Sequence, residues 1–180
     1  MKLEYEFKFK KKNKSFIIKN IEQSEISKKY IYSINNSKFL RYNIKSLINK
    51  KLQIQYIKNI DNSKDNIIIG IFYKKKLVGT CGAQKKSKKK YYLGIFIFDD
   101  QFKGFKLSKI LISFISHHLR KNHKVTYLYA SVNKKNFISH NLFKSLRFKE
   151  NYREKKKYKS DVVYFIQTKN MNYFLINEKV

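Results

Sequence analysis

The stretch YYLGIFIFDDQFKGFKLSKILISF, residues 91–114, reads as strand, short turn and helix in immediate succession. Residues 91–99 are almost continuously apolar, the pattern of a strand covered on both faces. The strand ends at Asp99, Gly104 sits in the turn, and a helix follows from Gly104 to Lys121. Phe105, Ile110, Leu111, Phe114 and Ile115 give that helix an apolar side. Arg120, Lys121 and His123 fall in or just past its last turn, where cations suit the dipole. Amides at the start of such a helix lack intrahelical partners and point outward, which makes an anion site suited to a diphosphate. Gly104 lets a ligand approach the backbone closely, and Lys103 and Lys106 add positive charge. Taken alone, the same pattern also describes a plain strand–helix connection.

Upstream, SFIIKNI (15–21) reads as a strand rich in β-branched residues. Ser24 is a candidate N-cap for a helix through Tyr30 and Ile34. A second helix is predicted from Ser46 to Lys58, with Leu47, Ile48, Leu52 and Tyr56 near one face. NIIIGIFY (66–73) and KLVGTCGAQ (76–84) form a hairpin around Lys74–Lys76, and KKSKKK (85–90) is the next turn. Downstream, VTYLYASV (125–132) is a strand and Asn136–Leu146 a short helix. FKENYRE (148–154) and DVVYFIQT (161–168) make a closing hairpin. The order β-α-α-β-β-β-α-β-α-β-β predicts a mixed sheet with helices on its faces.

The composition bounds the rest. The 180 residues carry 42% hydrophobic and 16% aromatic side chains, enough to fill the core of one domain. We take residues 1–180 as a single domain with a core of about 15–168 and a C-terminal extension at 169–180. The charge of +30 comes almost entirely from lysine, since arginine occurs only at positions 41, 120, 147 and 153. Proline is absent and glycine scarce, so this looks like drift toward AT-rich codons. A protein chosen to bind nucleic acid would keep more arginine, whose planar fork suits phosphates and base edges. No stretch reaches the ~20 apolar residues of a membrane span, and the N-terminus has no apolar signal region. One cysteine, Cys81, excludes an internal disulfide and any multi-Cys zinc site. The expected location is the cytoplasm. His117, His118, His123 and His140 lack partners at metal spacing, so no metal is expected, and His140 is expected at the surface.

A second segment, NKKNFISHNLFKSLRFKE (133–150), follows the strand at 125–132. The two segments together resemble the acetyl-CoA-binding core of the GNAT N-acetyltransferase superfamily. Gln101, Gly104 and Lys106 stand at the places of its Gln/Arg-x-x-Gly-x-Gly/Ala loop. Asn136, Ser139, Leu142, Phe143, Arg147 and Phe148 follow its later signature. The resemblance covers about residues 66–168 well and 15–60 more loosely. It implies the GNAT fold, a single mixed and mostly antiparallel sheet of six to seven strands with helices on both faces.

It also implies acetyl-CoA as cosubstrate, held by Ile97, Phe98, Gln101, Lys103, Gly104, Phe105, Lys106, Asn133 and Asn136. Amides near Ile97 and Phe98 would polarise the thioester, with strand 91–99 splayed from strand 125–132. Three positions depart from the pattern. Lys106 replaces a small residue, Arg147 replaces a glycine, and Phe143 replaces a tyrosine thought to protonate the departing thiolate. A thiol with a pKa of about 8.5 leaves tolerably without an acid. The general base is not identifiable; Asp99 and Asp100 read more simply as loop and helix-start charges.

EISKKYIYSINNSKFLRY (25–42) resembles a segment of GNAT members that acetylate amino-sugar nucleotides, as does 153–167 their C-terminal end. That resemblance makes Asn35, Arg41 and Tyr42 candidates for substrate contact and a nucleotide sugar the expected acceptor. It leaves a homodimer open. The alternatives are acetylation of protein N-termini or ribosomal proteins, and a non-catalytic basic module associated with nucleic acid.

Overall fold

The computed structural model of the chain describes residues 1–38, 40, 46–152 and 161–171. Its strands are β1 (Phe7–Lys11), β2 (Lys14–Asn20), β3 (Asn66–Tyr73), β4 (Lys76–Ser87), β5 (Lys90–Ile97), β6 (Tyr127–Asn133), β7 (Lys149–Glu150) and β8 (Asp161–Gln167). All eight lie in one sheet in the order β1-β2-β3-β4-β5-β6-β8-β7. Every pairing is antiparallel except β5–β6, which is parallel.

Alternate residues along the strands feed two cores, as the two-residue period requires. Ile67, Ile69 and Ile71 point to the face shared with α3 (Leu107–His123) and α4 (Phe137–Ser145). Ile68 and Phe72 point to the face covered by α1 (Lys28–Asn36) and α2 (Lys50–Asp61). The register of β3 against β4 is irregular between Ile71 and Phe72, which leaves Val78 outside the pairing, and β4 changes parity there: Val78 joins Cys81 and Ala83 in the first core while Leu77 joins the second. Among the described residues no helix is long and apolar enough to cross a membrane.

Several boundaries move for local reasons. β1 was not anticipated, because KKKNKS (10–15) reads as a polar cluster. The structure turns it with Lys12 and Asn13, both in the left-handed region (φ 48° and 59°), as a two-residue hairpin needs. Among the described residues the sheet therefore has eight strands, and it begins before residue 15. Helix α1 starts later than expected, because Ser27 and not Ser24 accepts from the Tyr30 amide, at 3.1 Å. Ser24 lies in a short 3-10 turn, Gln23–Glu25.

Helix α2 starts at Lys50, capped by Asn49 through the Leu52 amide, and buries Gln53, Ile57 and Ile60. The expected face was wrong in phase: Leu47, Leu52 and Tyr56 are exposed. Strand β4 runs on to Ser87, so only Lys88 and Lys89 form the turn that was assigned to all of 85–90. Helix α3 begins at Leu107, with Lys106 as its N-cap rather than Gly104 as its first residue.

Candidate functional site

The site is built where one strand loses its neighbour. β5 and β6 pair only at Lys90↔Tyr127, Tyr91↔Leu128 and Tyr92↔Tyr129. Beyond Tyr92 the two strands part, while β5 stays zipped to β4 as far as Ile97↔Gly79. The Phe98 amide donates to Val78 O at 3.2 Å. In antiparallel pairing such bonds alternate, so the N–H groups of Leu93, Ile95 and Ile97 face away from β4 into the opening. The same alternation on β6 directs Ser131 and Asn133 toward it, because Thr168 N donates to Thr126 O on the β8 side. This explains a misread of β5. Tyr91 and Leu93 are buried, but Gly94 to Ile97 are not, because half of that strand lines a cavity rather than a core.

The cavity measures about 1250 Å³. At one end lies the start of α3. A 3-10 turn, Asp100–Phe102, is capped by Asp99 and leads to Gly104 at φ 78° and Lys106 at φ 59°. No side chain caps α3, and among the described residues the amides of Gly104, Lys106, Leu107 and Ser108 have no acceptor. Lys103, Gly104, Lys106 and Lys109 all line the cavity. Lys106 is exposed, with its backbone in the left-handed region.

Ile97, Asn133, Asn136 and Phe143 line the cavity too. Asn136 caps α4 by accepting from Ser139 N at 3.1 Å, and Asn133 Oδ1 accepts from Lys135 N at 3.0 Å. Phe143 is buried, with its ring 5.1 Å from Phe148 and 6.0 Å from Tyr164. Arg147 adopts φ 65° at the end of α4, where a glycine would sit without strain. The Phe148 amide there closes on Phe143 O at 3.0 Å.

The structure does not bring every candidate to the cavity. Phe98 uses its amide on Val78, so that N–H is not available to a thioester; its ring packs 5.1 Å from Tyr30. Gln101 binds Asp99 Oδ2 through its side chain at 2.9 Å, and Phe105 packs into the core below the loop. Asn35 spends its amide group on both backbone atoms of Ile48, at 2.7 and 2.9 Å, which ties the end of α1 to the segment before α2. Arg41 and Tyr42 lie outside the described residues. His140, expected at the surface, is half-buried instead. Its Nδ1 lies 2.7 Å from Tyr164 Oη and its Nε2 3.1 Å from Asn133 O, so Nε2 carries the hydrogen. It thereby fixes the bend between β6 and α4.

The other end of the cavity, between α1, α2 and the sheet, was invisible in the sequence. Tyr30, Gln53, Tyr56, Thr80 and Gln84 line it with neutral polar groups. Gln53 Nε2 donates to Tyr30 Oη at 3.2 Å, and that hydroxyl also bonds Thr80. Burial pushes the Tyr30 phenol up to about 12, so it stays a neutral hydroxyl. Leu52 and Tyr56 are exposed because they wall this space rather than fill the core.

Asp99 lies where the two ends meet. Burial works to raise its carboxyl, but Lys29 at 2.8 Å and the Gln101 side chain outweigh this and hold it below the ordinary range. It is a cap and an ion-pair partner, and a poor base. Cys81 is fully buried and its thiol is pushed far up by burial, which removes it as a nucleophile.

The description "Acetyltransferase (GNAT) family" matches residues 29–148, a span that contains both the parted strands and the uncapped helix start. The chain belongs to the acetyltransferase (GNAT) family. It is therefore an acyltransferase by family. Solved GNAT-fold structures agree with its architecture. The GNAT acetyltransferase from Bacillus anthracis superposes with TM-score 0.71 at 13% identity, over 91% of this chain and 99% of that one. The Campylobacter jejuni N-acetyltransferase PseH in complex with acetyl coenzyme A gives TM-score 0.59 at 17% identity, over 83% and 98%. YncA from Salmonella typhimurium with acetyl-CoA gives 0.69 at 10%, over 85% and 94%. No curated protein matches the sequence.

Proposed function

We propose that the chain transfers the acetyl group of acetyl-CoA to a primary amine on a nucleotide-linked amino sugar. The observation that carries this reading is the opening between β5 and β6, faced by the β5 amides of Leu93, Ile95 and Ile97 and continuous with the uncapped start of α3. A thioester arm can lie along β5 as a substitute strand, with its diphosphate on the amides of residues 104–108. The structure of a relative holding acetyl-CoA supports the choice of anion.

In this reading the Ile97 amide faces the thioester carbonyl and stabilises the charge that develops on its oxygen. The free amine attacks the carbonyl carbon, an N–C bond forms, and the C–S bond breaks. The CoA thiolate leaves and is protonated by water, because Phe143 has no proton to give. The amine's excess proton also leaves to water, since Asp99 is held in its ion pair with Lys29 and Asp100 in one with Lys103. Most of the rate then comes from placing the two reactants together in a closed cleft.

The neutral cup of Tyr30, Gln53, Thr80, Tyr56 and Gln84 supports a hydroxyl-bearing acceptor, whose oxygens can exchange hydrogen bonds with it. The resemblance of residues 25–42 to amino-sugar-nucleotide acetyltransferases points the same way. The test is release of thiol from acetyl-CoA across a panel of amino-sugar nucleotides and N-terminal peptides. Turnover should concentrate on the sugars. Turnover confined to peptides would overturn the acceptor assignment and leave the cofactor assignment intact.

A further inference from the structure

The β1–β2 hairpin reaches the loop that holds Gly104. Its turn places the Lys12 ammonium 3.7 Å from where a side chain on Gly104 would begin. The same ammonium lies 5.0 Å from the centre of the Phe105 ring. Lys14 sits behind it, 5.4 Å from the same ring and 5.3 Å from those of Phe102 and Tyr73. Two cations thus converge on one aromatic residue of the loop. Among the described residues neither has a carboxylate within ion-pair distance. Lys103, in contrast, is paired with Asp100 at 3.2 Å. Uncompensated charges of one sign attract any anion that enters beside them.

We infer that Lys12 is a ligand for the diphosphate of the cofactor, so that the edge hairpin β1–β2 is part of the acetyl-CoA site. This rests on the cofactor reading above and adds a residue to it from the far edge of the sheet. Lys12 supplies a charge beside Gly104, while the amides of residues 104–108 supply fixed donors. Lys14, clasped by three rings, holds the hairpin against the loop and adds to the local potential.

The test compares Lys12→Gln with Lys10→Gln. The second removes the same charge from an exposed position within β1, outside the two-residue turn. Three acetyl donors are used: acetyl-CoA, dephospho-acetyl-CoA, which keeps the diphosphate, and acetyl-pantetheine, which carries no phosphate. Lys12→Gln should weaken acetyl-CoA and dephospho-acetyl-CoA binding by roughly five- to tenfold, in line with the loss of one charge-assisted contact. It should leave kcat/KM for acetyl-pantetheine and the melting temperature unchanged, and Lys10→Gln should change none of these by more than about twofold.

A loss that disappears with dephospho-acetyl-CoA would overturn the assignment to the diphosphate. A loss shared by acetyl-pantetheine, or no loss at all, would overturn a role in phosphate binding altogether. Failure of the wild-type protein to bind acetyl-CoA would instead refute the cofactor reading on which the inference stands.

Discussion

Replacing Gly104 separates the cost to the fold from the cost to the cofactor. At φ 78° an L residue is strained by about 1–2 kcal/mol. The new Cβ meets only Lys12 Nζ, at 3.7 Å, which is ordinary contact, so sterics add nothing in the free protein. For a chain of this length about 1–2 kcal/mol lowers Tm by roughly 2–8 °C. The bound state suffers more. A diphosphate seated on the amides of residues 104–108 must pass within contact distance of Gly104, and a branched side chain there removes two or more charge-assisted bonds. At about 1.5–3 kcal/mol each, the affinity falls at least about a hundredfold.

The assay is the melting temperature of wild type and Gly104→Val with and without acetyl-CoA at about 100 times the wild-type Kd. Mass action gives the wild type about 2.7 kcal/mol, or roughly 5–11 °C, and the variant about 0.4 kcal/mol, or roughly 1 °C. An equal ligand-induced shift in both proteins would refute the placement of the diphosphate at this loop.

Two further outcomes follow from other parts of the molecule. A side chain at Gly94 meets nothing within 4 Å and extends toward the α1–α2 end of the cavity. Gly94→Leu should keep stability and acetyl-CoA affinity but raise the acceptor KM by roughly tenfold or more; an unchanged KM measured by thiol release would place the acceptor elsewhere. His118 is buried on α3, its imidazole is pushed down to about 4 chiefly by burial, and its Nε2 has no partner among the described residues. The unfolded chain takes up that proton below pH 6.5 while the native chain resists it to about 4, so stability present above 6.5 is lost as pH falls. Urea unfolding at pH 7 and 5 should show a loss of about 2 kcal/mol from this group in wild type, absent in His118→Leu; parallel losses in both would show that another group carries the acid sensitivity.

Much of this site could be read in the sequence because strand, turn and helix at 91–114 follow one another without interruption. The order of the elements from Asn66 onward was legible for the same reason: each is an apolar run bounded by lysine clusters. What was not legible is how those clusters turn. Lys12, Lys74, Lys75, Lys106, Lys124 and Arg147 all hold positive φ, the backbone state that glycine or asparagine usually marks. A chain with only five glycines spells its turns in lysine, so β1 read as a polar tail and KKSKKK as one long turn.

The phase of α2 was lost for a different reason. Leu52 and Tyr56 are apolar because they wall a cavity, while the buried face carries Gln53, which bonds Tyr30. Periodicity alone cannot separate a core-facing stripe from a ligand-facing one. The Asn35 contact with Ile48 and the position of His140 depend on neighbours distant in sequence, and no local pattern announces them.

The most direct measurement is the change in amide resonances as acetyl-CoA is titrated into the isotopically labelled protein. The amides of Ile95, Ile97, Gly104, Lys106, Leu107 and Ser108 should move together and saturate with one dissociation constant, while those of β1-facing Phe16 and the α2 core stay still. Saturable shifts confined to the lysine-rich turns, with the β5 and α3 amides unmoved, would contradict a cofactor wedged between the parted strands.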